Sequence, residues 1–115
     1  MKKLLFVSGL MMMSAFSQAT SVEGTKITSV RSGTWYGHLL LFSVENAPDQ
    51  SQVGCHNLGP RGDYVIDTSK PGGEMWASMV LAAYASNARV SVWGSGTCIS
   101  VKYYQGEELE TLALN

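Results

Sequence analysis

Two histidines are the side chains of this sequence best suited to general acid–base chemistry. A catalytic nucleophile needs a base within hydrogen-bonding reach, and the bases present are His38 and His56. His38 alternates with apolar residues along a strand, which favours a structural role, and His56 follows Cys55 in a polar loop, which favours a solvated position. If Cys55 is disulfide-bonded it provides no thiolate for His56. We predict no enzymatic activity and no cofactor; the alternative is a small hydrolase that joins one histidine to a distant serine.

The acidic side chains near the C-terminus could also act as acids or bases. Glu107, Glu108 and Glu110 are clustered, whereas glycosidases need two carboxyl groups about 5 to 9.5 Å apart across a cleft. Neighbouring glutamates at a turn before a strand are more typical of a solvated strand edge that resists aggregation, and we predict that role. Asp63 and Asp67 flank a short predicted strand and supply too few oxygen ligands for a metal. We predict no metal site.

Aromatic residues are the strongest candidates for ligand binding. Val90 and Val92 alternate with Trp93, so Trp93 points outward if the valines face the core. Trp35 and Tyr36 are consecutive, so one of them also points away from the core. An exposed aromatic ring beside hydrogen-bonding groups can stack on a sugar or fill a subunit interface. We predict a ligand-binding role for Trp35, Tyr36 and Trp93, with interface packing or coverage by a loop as the alternative.

The segment 1–19 has the features of an export signal. Two lysines form its positive start, an apolar run continues from Leu4 to Phe16, and Ser17-Gln18-Ala19 offers small residues at the two positions that a signal peptidase reads. The run is shorter than the roughly 20 residues that cross a bilayer, and no second run follows. We therefore predict one domain, 20–115, that is periplasmic or secreted and has no membrane span.

Both cysteines lie in the predicted mature part. An even number of cysteines in an exported chain favours a disulfide, and we predict the pair Cys55–Cys98. The chain between them would form a loop of about 44 residues, for which the chain-entropy model gives about 4 kcal/mol of stabilisation. A redox or metal pair would need a C-x-x-C spacing or nearby ligands, which the sequence does not offer.

The charge pattern argues against a nucleic-acid partner. Of the eight basic residues two lie in the leader, which leaves six against nine acidic residues, a net charge of −3. Binding to phosphates requires clustered basic residues, and here they are scattered singly. Charged residues make up only 15% of the chain, where about 25% is usual. Such a surface suits an oligomer, or a ligand bound through neutral polar and aromatic groups.

Apolar runs predict strands before and after a single helix. Thr34–Val44 is predicted as a long strand covered on both faces, with a bend at Gly37, and Thr25–Val30 as a short edge strand. Tyr64–Asp67 is predicted as a brief strand after a turn and a loop. The sequence predicts a hairpin in the second half, formed by Arg89–Trp93 and Ile99–Tyr104 around a turn at Gly94-Ser95-Gly96, with Tyr103 facing the core. A turn at Gln105-Gly106 and a last strand, Glu108–Leu114, are predicted to follow.

One helix is predicted over Pro71–Ser86. Thr68 or Ser69 would cap its start and Asn87, in a left-handed conformation, its end. Its apolar residues form two stripes, one of Met75, Met79, Ala82 and Ala83 and one of Trp76, Val80 and Tyr84. We predict that Met75 and Met79 pack in the core with Trp76; the alternative is that the second stripe packs against a neighbouring protomer.

This order of elements resembles the five-stranded, OB-type barrel of the pentameric B subunits of bacterial AB toxins of the subtilase and pertussis-like kind. The residues that carry the resemblance are Trp35–Val44 as the first strand, the helix Pro71–Ser86 and the strand Ala88–Trp93. The resemblance implies a mainly β barrel with one helix, and it implies glycan binding and a pentamer. The segments Tyr64–Ser86 and Val90–Cys98 also resemble a group of uncharacterised exported bacterial proteins.

The resemblance does not carry over a known glycan pocket. In those toxin subunits a serine on the first strand contacts sialic acid, and the comparable stretch here is Trp35-Tyr36-Gly37. We therefore predict an exported, non-catalytic binding protein whose partner is a glycan or a protein, with a possible homopentamer. The alternative is a monomeric periplasmic inhibitor or envelope accessory protein.

Overall fold

The structure is a computed structural model that describes residues 19–49, 53–55 and 62–115. Within these residues five strands form a barrel, an α-helix lies between the third and fourth strands, and a 3-10 helix lies between the first two. Residues 1–18 of the predicted leader, residues 50–52 and residues 56–61, which include His56, lie outside the described residues. The elements are β1 (Ser21–Arg31), the 3-10 helix (Thr34–Tyr36), β2 (Leu39–Val44), β3 (Tyr64–Asp67), α1 (Gly73–Ser86), β4 (Arg89–Val101) and β5 (Tyr104–Leu114).

The barrel closes because every strand pairs on both sides. The strand order is β1-β2-β3-β5-β4, and β4 returns to β1. All neighbouring strands are antiparallel except β3 and β5, which are parallel. The predicted fold class, a mainly β, five-stranded, OB-like barrel with one helix and one disulfide, is confirmed.

The first strand differs from its prediction. The short edge strand predicted at Thr25–Val30 is wrong, because β1 has 11 residues and pairs with both β2 and β4. Closure of the barrel removes the free edge that the sequence pattern indicated. Gly24, with a φ of 64°, lies in one of two bulges of β1, and such bulges bend a strand so that it can serve two neighbours.

The second strand is covered on both faces, as predicted for its apolar run. Leu40, Phe42 and Val44 belong to the main core inside the barrel, whereas Leu41 belongs to a smaller cluster on the other face. The buried residues of the main core are Ile27, Leu40, Phe42, Val44, Tyr64, Ile66, Val80, Ala83, Val90, Val92, Leu109 and Leu112. The smaller cluster consists of Leu41, Val65 and Val101.

The helix ends where the sequence indicated and starts two residues later. Asn87 adopts the left-handed conformation, and its N–H donates to the carbonyls of Ala83 and Tyr84. The helix starts at Gly73 instead of Pro71, because Gly72 turns the chain with a φ of 82°. The predicted caps have other roles: the Thr68 hydroxyl donates to the His38 carbonyl, and the Ser69 hydroxyl donates to Asp67.

The buried face of α1 is narrower than predicted. Val80 and Ala83 are buried, and Trp76 and Met79 pack against the core. Met75, which we predicted in the core, is 70% exposed, and Leu81 and Tyr84 are also exposed. A single helix lying on a small barrel can bury only one stripe, so the other apolar residues face outward.

The second half of the chain forms one long, bent hairpin. The turn predicted at Gly94-Ser95-Gly96 is wrong, because these residues continue β4 through a bulge. The turn predicted at Gln105-Gly106 is also wrong, because the chain reverses at Lys102 and Tyr103. Lys102 takes a φ of 56° there. Tyr103, predicted to face the core, is 91% exposed at the tip of the hairpin.

Cys55 and Cys98 form the predicted disulfide, with Cα atoms 5.6 Å apart. It ties the connection between β2 and β3 to the middle of β4. A disulfide in a small domain is typical of an oxidising compartment. No helix in the described part of the chain is long and apolar enough to cross a membrane.

Candidate functional site

Trp35 and Tyr36 lie at one end of the barrel, in the 3-10 helix between β1 and β2. The strand predicted to begin at Trp35 is wrong, because β2 begins at Leu39. Gly37 explains the difference: it has a φ of 67° and a ψ of −127°, a conformation that glycine adopts without a steric penalty. The Tyr36 N–H donates to the Gly33 carbonyl at 3.0 Å, which closes the turn.

The sequence left open which of the two aromatic rings points away from the core, and in the structure it is Trp35. Tyr36 is half-buried and packs against the smaller core cluster, so it anchors the turn. Trp35 is 46% exposed and meets Tyr36 edge-to-face, with ring centroids 5.0 Å apart. A rigidly held, exposed indole is a suitable platform for an apolar or sugar face.

The tip of the β4–β5 hairpin completes a small cleft around Trp35, which we call the tip cleft. Lys102 places its Nζ 5.8 Å from the centroid of the Trp35 ring, within the range of a cation–π contact. The cleft has a volume of about 240 Å³, and its lining residues are Thr34, Trp35, Tyr36, Gly37, Leu39, Ser100, Val101 and Lys102. It combines an aromatic face, hydroxyl groups and one cation.

Trp93 lies in a different cleft, beside the start of the described chain. It is half-buried on β4, and its neighbours Val90 and Val92 face the core as predicted. Ser91, predicted to point outward, is buried and accepts a hydrogen bond from the Asn115 amide at 3.1 Å. The Trp93 cleft measures about 520 Å³ and is lined by Ala19, Thr20, Ser21, Trp93, Gly94, Glu110 and Thr111.

The structure therefore brings together two of the three predicted binding residues. Trp35 and Tyr36 share the tip cleft, and Trp93 lines a cleft that has no lining residue in common with it. Lys102 and Tyr103 were missed as candidates because the hairpin turn was placed elsewhere. The sequence signal that could have found them is the polar, aromatic stretch between the apolar residue Val101 and Gly106.

Glu107 is buried, contrary to the prediction of a solvated edge. Its side chain is 0% exposed and accepts hydrogen bonds from the backbone N–H groups of Thr20 at 3.1 Å and Gly96 at 2.9 Å, and from the Thr20 hydroxyl. Gly94 makes room for it, because a Cβ at Gly94 would lie 2.1 Å from the Glu107 carboxyl carbon. Glu108 and Glu110 lie nearer the surface.

Tyr64 extends the polar cluster into the core. Its hydroxyl lies 2.8 Å from the Thr20 hydroxyl. Burial raises the pKa of Tyr64 to about 12; the Thr20 hydrogen bond opposes this shift, and the nearby carboxylates of Glu107 and Asp63 add to it.

His38 lies beside Asp67 and Ser69, but the three side chains are not arranged as in a catalytic triad. Its Nε2 lies 3.7 Å from an Asp67 carboxylate oxygen, and the same oxygen accepts a hydrogen bond from the Ser69 hydroxyl at 2.6 Å. The Ser69 hydrogen bond is the main cause of a lowered pKa for Asp67, and the His38 charge contributes. In a triad the histidine lies between serine and aspartate, whereas here the aspartate lies in the middle.

Among residues 19–49, 53–55 and 62–115, no three histidine, cysteine or acidic side chains converge on a common point where a metal ion could bind. Comparisons of this chain with protein-family models, with curated proteins and with solved structures found no match.

Proposed function

We propose that this protein is an exported, non-catalytic binding protein, periplasmic or secreted, and that the tip cleft binds a glycan. The observation that carries the proposal is the exposed Trp35 ring, held edge-to-face by Tyr36 at 5.0 Å beside a lysine and two hydroxyl-bearing residues. Sugars present both an apolar face and hydroxyl groups. Aromatic stacking with polar groups at the rim matches both.

The size of the tip cleft limits the ligand. Its volume of about 240 Å³ is below the roughly 300–1,000 Å³ of sites that enclose drug-sized molecules. This favours a ligand of which one ring lies in the cleft while the remainder extends into solvent, as a terminal sugar of a glycan does. The exposed Tyr103 ring at the hairpin tip offers a further surface for such an extension.

The Trp93 cleft is the weaker candidate for the ligand. Ala19 is one of its lining residues and is the last residue of the predicted leader. Removal of the leader would open one wall of this cleft, whereas the lining residues of the tip cleft that the structure describes all belong to the predicted mature part. We therefore assign the first role in glycan binding to Trp35 and Tyr36.

A glycan array followed by titration calorimetry tests the proposal. We expect the wild-type chain to retain at least one glycan, and Trp35→Ala to bind that glycan at least about tenfold more weakly, because an anchoring aromatic residue contributes about 1–2 kcal/mol or more. Trp93→Ala is the matched control and keeps the wild-type affinity. Trp35→Ala should melt near the wild-type temperature, since Trp35 is 46% exposed and belongs to neither core cluster.

An array on which the wild-type chain retains no glycan, or equal binding by wild type and Trp35→Ala, would remove the glycan proposal. The second candidate is then a protein partner, favoured by the exposed Leu81 and Tyr84, which lie three residues apart on one face of α1, and by Met75, which is exposed elsewhere on the helix. Light scattering after size exclusion then distinguishes a ring-forming oligomer from a monomeric protein. A mass of about five protomers supports a ring of the toxin-subunit kind, and a monomer supports the inhibitor or accessory protein.

A further inference from the structure

Glu107 is a buried carboxylate whose partners are not cationic side chains. The ion pairs found in the described part of the chain are His38–Asp67 and Lys70–Glu108, and neither includes it. A carboxylate removed from water is costly unless a cation or several hydrogen bonds compensate for it. Here two backbone N–H groups and one hydroxyl point at the carboxylate, and two of these three donors belong to Thr20.

Each polar group of Thr20, namely its N–H, its hydroxyl and its carbonyl, makes a hydrogen bond. Its N–H and hydroxyl donate to Glu107, and its carbonyl accepts a hydrogen bond from the Gly94 N–H at 2.9 Å. It is only 4% exposed, whereas Ala19, directly before it, is exposed. The chain therefore leaves the barrel at the peptide bond between Ala19 and Thr20.

That bond is also where the sequence predicts removal of the leader. The small residues Ser17 and Ala19 stand at the two positions that a signal peptidase reads, so cleavage would follow Ala19. The nitrogen of Thr20 is therefore singled out twice. The sequence predicts cleavage directly before it, and in the fold it donates a hydrogen bond to the buried Glu107.

We propose that Thr20 is the N-terminal residue of the processed protein and that its α-ammonium group forms a buried ion pair with Glu107. In the processing step a signal peptidase adds water across the Ala19–Thr20 amide: the C–N bond breaks, Ala19 leaves as a carboxylate, and the nitrogen of Thr20 becomes an amine that takes up a proton. The nitrogen already lies 3.1 Å from a Glu107 oxygen, so the new charge arises next to its partner.

The pair strengthens the barrel at the place where it closes. Glu107 lies opposite Tyr64 in the parallel pairing of β3 with β5 and opposite Cys98 in the pairing of β5 with β4. An ammonium that replaces the amide N–H turns an ordinary hydrogen bond into a charge-assisted one. The processed chain is therefore expected to be more stable than a chain extended beyond Thr20. This inference does not depend on the glycan proposal.

The first measurement is the N-terminal sequence and intact mass of the exported wild-type protein, which should begin at Thr20. The second uses a precursor with one serine inserted between Ala19 and Thr20, so that the processed chain carries an amide where the wild type has an amine. At pH 6.5 we expect the extended chain to have an unfolding equilibrium constant at least about tenfold larger, which corresponds to about 1.4 kcal/mol.

The pH dependence separates an ion pair from a simple packing effect. An unpaired α-amino group has a pKa of about 7.7–8.0, and a neighbouring carboxylate raises that pKa in the folded state. The added stability is therefore fully present below about pH 7.7 and is lost as the pH rises through the raised value. The difference between wild type and the extended chain should therefore shrink as the pH rises through the raised pKa of the α-amino group.

A double-mutant cycle identifies the acceptor. In a Glu107→Gln background the inserted serine should change the unfolding equilibrium constant less than about twofold, whereas Glu74→Gln, an exposed control on α1 that does not line the cleft around Thr20, should keep the full effect. Cleavage at another bond, equal stability of the two chains at pH 6.5, or an unchanged effect of the insertion in Glu107→Gln would each overturn the proposal. If Glu107→Gln does not fold, the proposal is tested by the pH dependence of stability of the wild type and of the extended chain, both of which keep Glu107.

Discussion

At the scale of single residues, Tyr64 is a polar side chain held inside the barrel. Tyr64 is fully buried, stacks on Phe42 with ring centroids 5.6 Å apart, and lies within hydrogen-bonding distance of the Thr20 hydroxyl. A buried phenol resists ionisation because its charged form would lose hydration. Ionisation of Tyr64 is therefore one source of lost stability at alkaline pH.

We expect the wild-type protein to lose stability between pH 10 and 12. The pKa of Tyr64 is about 12 in the folded protein and about 10 in an unfolded chain, so in this window the unfolded state has released a proton that the folded state still holds. The free energy of unfolding then falls with pH, by up to about 2 kcal/mol.

Urea unfolding of Tyr64→Phe across that pH range measures this loss, and the variant should lose less stability than the wild type. Tyr103→Phe is the matched control, because its ring is 91% exposed, and it should follow the wild-type curve. Parallel curves for Tyr64→Phe and wild type would contradict the assignment.

At the scale of elements, close packing at Gly73 and the left-handed conformation of Asn87 decide where the helix starts and stops. Gly73 cannot carry a side chain, because a Cβ there would lie 2.2 Å from the Asp67 carbonyl oxygen. Asn87 takes the left-handed conformation that ends the helix and returns the chain into β4. The packing of α1 on the barrel therefore depends on its two ends as much as on Val80 and Ala83.

The end of α1 gives a matched pair of substitutions. Asn87→Gly should keep the free energy of unfolding within about 0.5 kcal/mol of the wild type, because glycine adopts a φ of 56° freely. Asn87→Ala should lower it by about 1 kcal/mol, because alanine pays a steric penalty there, and should lower the melting temperature by about 4–8 °C. Thermal melting checks both. Equal melting of the two variants would mean that the left-handed turn is not what holds the helix end.

At the scale of the whole molecule, stability depends on how the barrel is closed. The parallel pair β3–β5 joins strands that are far apart in the sequence, and the disulfide ties the segment before β3 to β4. A chain of this size has one modest core. Constraints on the unfolded state therefore contribute a large share of its stability.

Removal of the disulfide should be costly. The double variant Cys55→Ser and Cys98→Ser closes no loop in the unfolded chain, and for a sequence separation of 43 residues we expect a loss of about 2–4 kcal/mol. Denaturant unfolding at neutral pH measures it, and the reduced wild type, with blocked thiols, should have the same midpoint as the double variant. A loss below about 0.5 kcal/mol would show that the loop is already constrained without the bond.

The sequence by itself determined the fold class, the helix end at Asn87, the strand Tyr64–Asp67, the cysteine pair and the two-sided burial of Leu39–Val44. The barrel was implied by the resemblance to toxin B subunits, whereas the other features follow from local chemistry: apolar periodicity, a residue that tolerates left-handed angles, and the count of cysteines. Trp35 and Trp93 were also identified as candidate binding residues, because large aromatic rings are conspicuous in an apolar run; their role in binding stays a prediction.

Only the tertiary structure decided which of these residues meet. The sequence placed Glu107 on a solvated edge, and the fold buries it, because Gly94 leaves space and because Thr20, just before β1, and Gly96, in the neighbouring strand β4, supply donors. It placed Tyr103 in the core, and the position of the hairpin turn exposes it. In both cases the outcome depends on register and on partners far along the chain, and local patterns carry no information about either.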